Sequence, residues 1–340
     1  MAFFELISDI TVGSFNFSGA HEVRVKRSMR TLQDSCTITL PARGGVLKNG
    51  RQVEADVVMA QKFNEGDGVH VNLGYNGDVN NEFVGFVRSI GTGRPLVLEC
   101  EGYVRELRLN CDFNKHYAKT TAKEMLQLAC QGTDITVQCP VYFPLCNFTL
   151  QHANGEDICN YVKEASDHML SIFFVEPKVL FCGLTYLSYA TANPLFGLPT
   201  VDYRVGYNCV RDNGLKKRVP KERVQIIMKG RTANGNFVKT ASKDKTAANK
   251  VKTLHNHVPD DKTLGMFAQE KEYQLNYTGY EGPIPGFLYP YALPGFDAHV
   301  VNTDMPELNG KYLIEETDVT FGMRGARRHV KVGARVGFDS

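Results

Sequence analysis

Residues 68–109, GVHVNLGYNGDVNNEFVGFVRSIGTGRPLVLECEGYVRELRL, limit the possible folds more than any other stretch. Val69, Val71, Leu73 and Tyr75 alternate with His70, Asn72 and Gly74, a period of two that predicts a strand with one apolar face. Asn76-Gly77-Asp78 then supplies turn chemistry, because Asn and Gly tolerate positive φ. Residues 83–90 return with apolar side chains on both faces apart from Arg88, the pattern of a strand covered on two sides. Gly91-Thr92-Gly93 turns the chain again, and 96–103 reads as a third strand. Three antiparallel strands joined by short turns form a meander, read here as the centre of a small β-barrel or sandwich.

The same alternation recurs on both sides of the meander. Val23 and Val25 stand against Glu22, Arg24 and Lys26, and Cys36, Ile38 and Leu40 against Thr37 and Thr39, with Pro41 ending that strand. Residues 1–109 therefore read as a first β-barrel-like module. Residues 110–187 change character. At 121–130, Met125, Leu128 and Ala129 share a helical face that Thr120 or Thr121 caps. After a short strand at 135–138, the segment 154–168 opens with Asn-Gly-Glu-Asp, which caps a helix and suits its dipole. Ile158, Tyr161, Val162 and Ala165 form its stripe, and 170–175 with 179–184 make a hairpin. This is a small α+β domain inserted between β parts. Residues 188–340 return to β, with strands predicted at 203–210, 223–229, 297–301, 311–321 and 329–336. Residues 279–296 hold four prolines and four glycines and read as an ordered loop with aromatic anchors. The fold class is mainly β with an α+β insertion: two β-barrel-like modules flanking a small α+β domain.

Charge enters because it is unevenly placed. The net charge is +2, yet residues 211–252 hold 13 Lys/Arg against 3 Asp/Glu, so the remainder is acidic. Within that segment Lys216, Lys217, Arg218, Lys221 and Arg223 are the candidate partner-binding residues. Three readings are open: a solvated loop, docking on an acidic protein neighbour, or phosphate contacts to nucleic acid. The last is disfavoured because no closely interleaved aromatics accompany the charges.

Catalytic and cofactor signatures fail. There is no HExxH, GxSxG or P-loop, and Gly91-Thr92-Gly93 lacks the third glycine of a dinucleotide fingerprint and precedes a strand. No cofactor and no metal site is expected. His255 and His257, followed by Asp260 and Asp261, have metal-ligand chemistry but read as solvated loop residues. Glu99 and Glu101 share a strand face and resemble a glycosidase carboxylate pair. The plainer reading is a solvated or ion-paired face, with Arg105 as partner. The nine cysteines form no CxxC pair and five sit in apolar runs, which points to buried free thiols in a reducing compartment. No segment has the length and apolarity of a membrane span, and the N-terminus lacks a basic n-region and a long apolar core. Synthesis in the cytoplasm is expected.

Several stretches, in this order and spacing, resemble the baseplate hub proteins of contractile phage tails. That family includes the Mu-like hub and late-control tail proteins and the hubs of contractile injection and type VI secretion systems. The stretches are LQDSCTITLP at 32–41, GDGVHVNLGYNGDVNNEFVGFV at 66–87, LECEGYVREL at 98–107, the helix region 147–164, VDYRVGYNCVRDNG at 201–214, and 311–336 with its GMRGARRHVKVGARV ending. The resemblance implies a structural protein, not an enzyme, located in a tail baseplate or injection particle. It implies a homotrimer in which each subunit gives two modules to a pseudo-sixfold ring, joining a sixfold tail tube protein to a threefold spike. The sequence carries no β-helical repeat, so the spike is expected to be a separate protein. The strands in 69–75, 83–90 and 329–336 are the expected ring builders. The remaining functional alternatives are a tail-associated peptidoglycan hydrolase and a carbohydrate- or nucleic-acid-binding module.

Overall fold

A computed structural model describes residues 5–48, 51–186, 198–210, 214–231, 237–241, 250–255 and 261–338. The predicted meander is its centre: Gly68–Tyr75, Asp78–Ile90 and Leu96–Glu101 pair antiparallel in that order. Asn76 (φ 52°) and Gly77 (φ 89°) make the two-residue turn between paired Tyr75 and Asp78, the left-handed backbone that a tight hairpin requires. The third strand is shorter than predicted. It stops at Glu101, and Val104–Leu109 is a helix whose Val104 and Leu107 enter the core.

Pairing then spreads outwards on both sides. Leu6–Val12 lies against Gly68–Tyr75 and carries the short edge strand Phe15–Phe17. Ser35–Leu40 lies against Leu96–Glu101, and Glu22–Ser28 against Ser35–Leu40. Inward residues at alternate positions, among them Ile10, Val23, Val25, Ile38, Val71 and Leu73, are fully buried and form one aliphatic cluster.

The sheet does not end there. Glu22–Ser28 pairs with the far half of the long C-terminal strand Gly310–Gly322, with Val25 opposite Val319. The near half of that strand pairs instead with Asp297–Val301, which runs parallel to Thr200–Arg204. Between Leu313 and Glu316 the strand changes partners, and three register irregularities against Gly325–Phe338 fall between Lys311 and Glu316. Bulges bend a strand and increase its local twist, so one strand serves two walls. Beyond it lie Gly325–Phe338, Gly279–Gly286 and Lys216–Arg218, giving 13 strands in one ladder among the described residues. The chain is mainly β with an α+β body, as its residue pattern predicts. Among the described residues the barrel-like walls do not close: the path ends at Phe15–Phe17 and at Lys216–Arg218.

Two further predictions change. Thr200–Arg204 is a strand, but 205–210 is not. Asn208 accepts the Arg204 N–H at 2.7 Å and donates to the Asp202 carbonyl at 2.8 Å, and this turns the chain. The Pro/Gly-rich stretch is a strand over Gly279–Gly286 and a loop over 287–296. Pro283 and Pro285 are tolerated because the neighbour Lys216–Arg218 pairs only with residues 279–281.

In the α+β body, Thr121 and Asn154 close capping boxes with Glu124 and Asp157. Its hydrophobic cluster contains Leu126, Ile158 and Leu180 together with Ile226, Met228, Leu264, Phe267 and Ala268 from much later in the chain. Those later residues come from the three-stranded sheet Val224–Arg231, Phe237–Ala241 and Lys250–His255 and from the helix Asp261–Asn276. Phe267 stacks on Phe143 at 5.7 Å. Among the described residues no helix is long and apolar enough to cross a membrane.

Candidate docking surface

The basic residues at 216–223 do not behave as one unit. Lys216–Arg218 is an edge strand, with Lys216 opposite Glu281 and Arg218 opposite Gly279. Arg218 turns inward. Its guanidinium lies 3.2 Å from Glu281, donates to the Gln274 and Leu275 carbonyls at 3.0 and 3.3 Å, and sits 4.4 Å from the Tyr277 ring centre. Those carbonyls end the helix Asp261–Asn276, so Arg218 places a cation on the negative pole of its dipole. Lys217 reaches Glu307 at 3.3 Å across solvent, an interaction of small energy. Lys216, Lys221 and Arg223 face solvent. Arg218 is thus committed to the fold, and the other four stand on the surface.

Farther along, the basic segment is structured where it is described. Val224–Arg231 buries Ile226 and Met228, so its charges alternate with core residues. Residues 211–213, 232–236 and 242–249 lie outside the described residues. Exposed apolar side chains accompany the surface cations. Val219 lies between Arg218 and Lys221. Tyr207 (84% exposed) and Val210 precede the edge strand, and Val210 N–H bonds the Pro285 carbonyl. Phe287 is half exposed beneath the Arg327 guanidinium, 5.0 Å from its ring centre.

Beside the edge strand opens a cavity of about 480 Å³, lined by Arg30, Lys216, Arg218, Glu281, Glu315 and Lys331 among others. On its wall Arg30 holds Glu315 at 2.6 Å, and the Tyr186 hydroxyl donates to the same carboxylate. Burial and then the Glu315 charge push the Tyr186 hydroxyl well above its ordinary pKa, so it stays a donor. That hydroxyl also accepts the Ala334 N–H at 3.1 Å. Gly333 permits this approach, because a Cβ there would lie 2.2 Å from the hydroxyl oxygen. The Tyr186 N–H bonds both oxygens of Glu270, which is fully buried. Four distant chain segments therefore meet at one polar junction, and they hold the cavity's shape.

The carboxylate pair resolves into two unlike residues. Glu101 is buried and held by Arg108 at 2.7 Å, which also takes Glu156 at 2.8 Å. Glu99 is exposed and accepts the Ser89 hydroxyl at 2.9 Å. Arg105, the expected partner, lies over the Phe86 ring at 5.4 Å instead, because the helix after Glu101 turns Arg108 towards that carboxylate. The geometry is structural ion pairing, with Glu101 engaged. His255 ends a strand, while His257 and Asp260 fall outside the described residues. Among the described residues no three His, Cys, Asp or Glu groups converge as metal ligands. The nine cysteines are free thiols.

Neither protein-family models nor curated proteins match the sequence. Solved structures do match the fold. The chain is similar to the 43 kDa tail protein of prophage MuSo2 from Shewanella oneidensis, at 11% identity and a TM-score of 0.62, over 98% of this chain and 99% of that one. It is similar to a tail protein from Neisseria meningitidis MC58, at 12% identity and a TM-score of 0.60, over 96% of both chains. A type VI secretion component from E. coli, itself described as structurally similar to the bacteriophage T4 tail proteins gp27 and gp5, aligns at 8% identity and a TM-score of 0.57, over 96% of this chain and 76% of that one. At these identities the likeness is one of fold: the chain has the fold of these phage tail and type VI secretion proteins.

Proposed function

We propose that this chain is the structural baseplate hub of a phage tail or contractile injection apparatus. In this reading three copies form a ring. Each contributes two β modules, the first from residues 1–109 and the second from 188–340 outside 224–276, to a pseudo-sixfold wall that joins a tail tube protein to a separate spike protein. Strands Gly68–Tyr75, Asp78–Ile90 and Gly325–Phe338 build the wall. The α+β body, drawn from 110–187 and from 224–276, stands beside it. The reading assigns no catalytic residue and no cofactor.

The observation that carries it is the continuous sheet from Phe15–Phe17 to Lys216–Arg218, which passes through both β regions and, among the described residues, leaves both ends open. An open edge invites another strand, and a ring of copies is one way to cover it. The end-to-end fold likeness to tail proteins supports the same reading.

The basic edge is the docking site for an acidic neighbour in the tail. Lys216, Lys221 and Arg223 supply the charge, and Tyr207 and Val219 the apolar contact. The mass in solution, measured by light scattering across a range of concentrations, tests the assembly. Three chains per particle is expected. A monomer at the highest concentration, alone and with its tail partners, contradicts the reading. Charge reversal of Lys216, Lys221 and Arg223 should leave the ring intact and weaken docking of the acidic neighbour.

A further inference from the structure

Two pairs of cysteines face each other across strands. Cys36 and Cys100 are register partners in the N-terminal wall, both almost fully buried. Burial raises both thiols, that of Cys100 to about 12. Cys139 and Cys182 lie in the α+β body. Strand Thr136–Gln138 runs parallel to Val179–Gly183, with Gln138 opposite Phe181, so the next residues along are Cys139 and Cys182. Adjacent strands lie about 5 Å apart, within the Cα separation that a disulfide spans.

The two thiols of the second pair differ. Cys182 is fully buried, whereas Cys139 is only partly buried and its thiol donates to the Val141 carbonyl at 3.5 Å. The neighbouring Cys182 side chain holds the Cys139 thiol below its ordinary pKa against the opposing effect of burial, with smaller help from the Val141 backbone and the Lys123 charge. The same pairing raises Cys182. A partly exposed thiol one strand away from a fully buried one is the arrangement of an attacking and a resolving cysteine.

We propose that Cys139 and Cys182 are a thiol–disulfide switch, oxidised by low-molecular-weight disulfides. The Cys139 thiolate attacks one sulfur of the small disulfide, forming a mixed disulfide and releasing one small thiolate. Cys182 loses its proton to solvent and attacks the Cys139 sulfur, forming the Cys139–Cys182 bond and releasing the second thiolate. The protein loses two electrons and two protons, and the small disulfide becomes two thiols. The bond fastens Thr136–Gln138, a three-residue edge strand, to the hairpin strand Val179–Gly183. This inference stands apart from the hub reading, since it depends only on the two thiols.

The test treats the folded full-length chain with oxidised glutathione, blocks remaining thiols with iodoacetamide, and maps peptides by mass spectrometry. A Cys139–Cys182 cross-linked peptide is expected before any other pair, with Cys36 and Cys100 still reduced. Cys182→Ser should accumulate glutathione on Cys139, and Cys139→Ser should leave Cys182 unmodified. The oxidised wild type should melt several degrees higher, reversibly with a dithiol reductant. Cys139 remaining reduced while exposed Cys111 is modified would overturn the proposal. So would a glutathione adduct on wild-type Cys139 that never resolves, or a Cys36–Cys100 bond forming first.

Discussion

Around Val71 the inward side chains are Ile10, Val12, Val25, Ile38, Val69 and Leu73, with Cys36 among them. Around Tyr312 they include Tyr203 and Tyr280, and two of these hydroxyls are fixed. Tyr312 donates to the Leu308 carbonyl at 2.5 Å and accepts the Tyr280 N–H at 3.1 Å, while the Tyr280 hydroxyl accepts Asn302 at 3.0 Å. Both groups line one sheet. The aliphatic wall is held by burial, which is non-directional and tolerates changes that keep volume. The tyrosine wall adds hydrogen bonds of fixed direction where Gly310–Gly322 bends between partners. Where a strand must leave its regular course, polar side chains specify how.

A buried ion pair also ties the walls together. Arg328 lies 2.5 Å from Glu82 on the meander, and both side chains are almost completely buried. Arg328 also donates to the Leu288 and Ala292 carbonyls, at 3.2 and 2.9 Å, and so ties down the Pro/Gly-rich loop. Tyr289 and Tyr291 of that loop donate to the Asp78 and Asn81 carbonyls. Arg328→Met is the most damaging change expected here, about 3–5 kcal/mol, because it leaves the Glu82 charge buried and unpaired. Adding Glu82→Leu should recover much of the loss in urea unfolding. Equal destabilisation of the single and double variants would show that the pair does not act as described.

Leu73→Ala in the aliphatic wall should cost about 2–4 kcal/mol through lost burial and the cavity left behind. Tyr312→Phe in the tyrosine wall keeps the ring and removes one oxygen. It should cost about 1–3 kcal/mol, since the Tyr280 N–H loses its acceptor. A cost near zero for Tyr312→Phe would make both walls alike and dissolve the contrast. The smallest effect concerns pH. Glu124 is held below the usual carboxylate range by the Thr120 hydroxyl and then by the Thr121 N–H at the helix cap. A carboxylate lowered in the fold stabilises it above the unfolded pKa, and that support fades as pH falls towards the folded value. The stability gap between wild type and Glu124→Gln should therefore be full at neutral pH and shrink below about pH 4.

The aliphatic wall was legible because its alternation is strict and its turn residues are specific. Val69 to Tyr75 and Asn76-Gly77 determine a hairpin without outside help. The cap at Asn154 was legible for the same reason, and the first helix's cap was narrowed to Thr120 or Thr121, of which the structure uses Thr121. The helix Asp261–Asn276 was not foreseen. It buries Leu264, Phe267 and Ala268, but it also buries Glu270 and Glu272, and those charges hide the apolar stripe in the sequence. The Tyr186 N–H, from a distant segment, and the Gln274 amide satisfy Glu270 in the core, and neither contact is visible in the local sequence. The strand exchange at Leu313–Glu316 was hidden too, because a change of partner leaves no mark on local alternation. Among the candidate site residues, Lys216, Lys221 and Arg223 stand exposed as a basic run predicts. Arg218 was lost to a helix end that was itself unforeseen.

Cryo-electron microscopy of the assembled particle tests the central claim, that this sheet is a wall segment completed by copies of itself. The expected image has three chains around an open bore, with the N-terminal and C-terminal β regions alternating on one circle of six. A particle of any other copy number, or one with the two β regions on different radii, would contradict it.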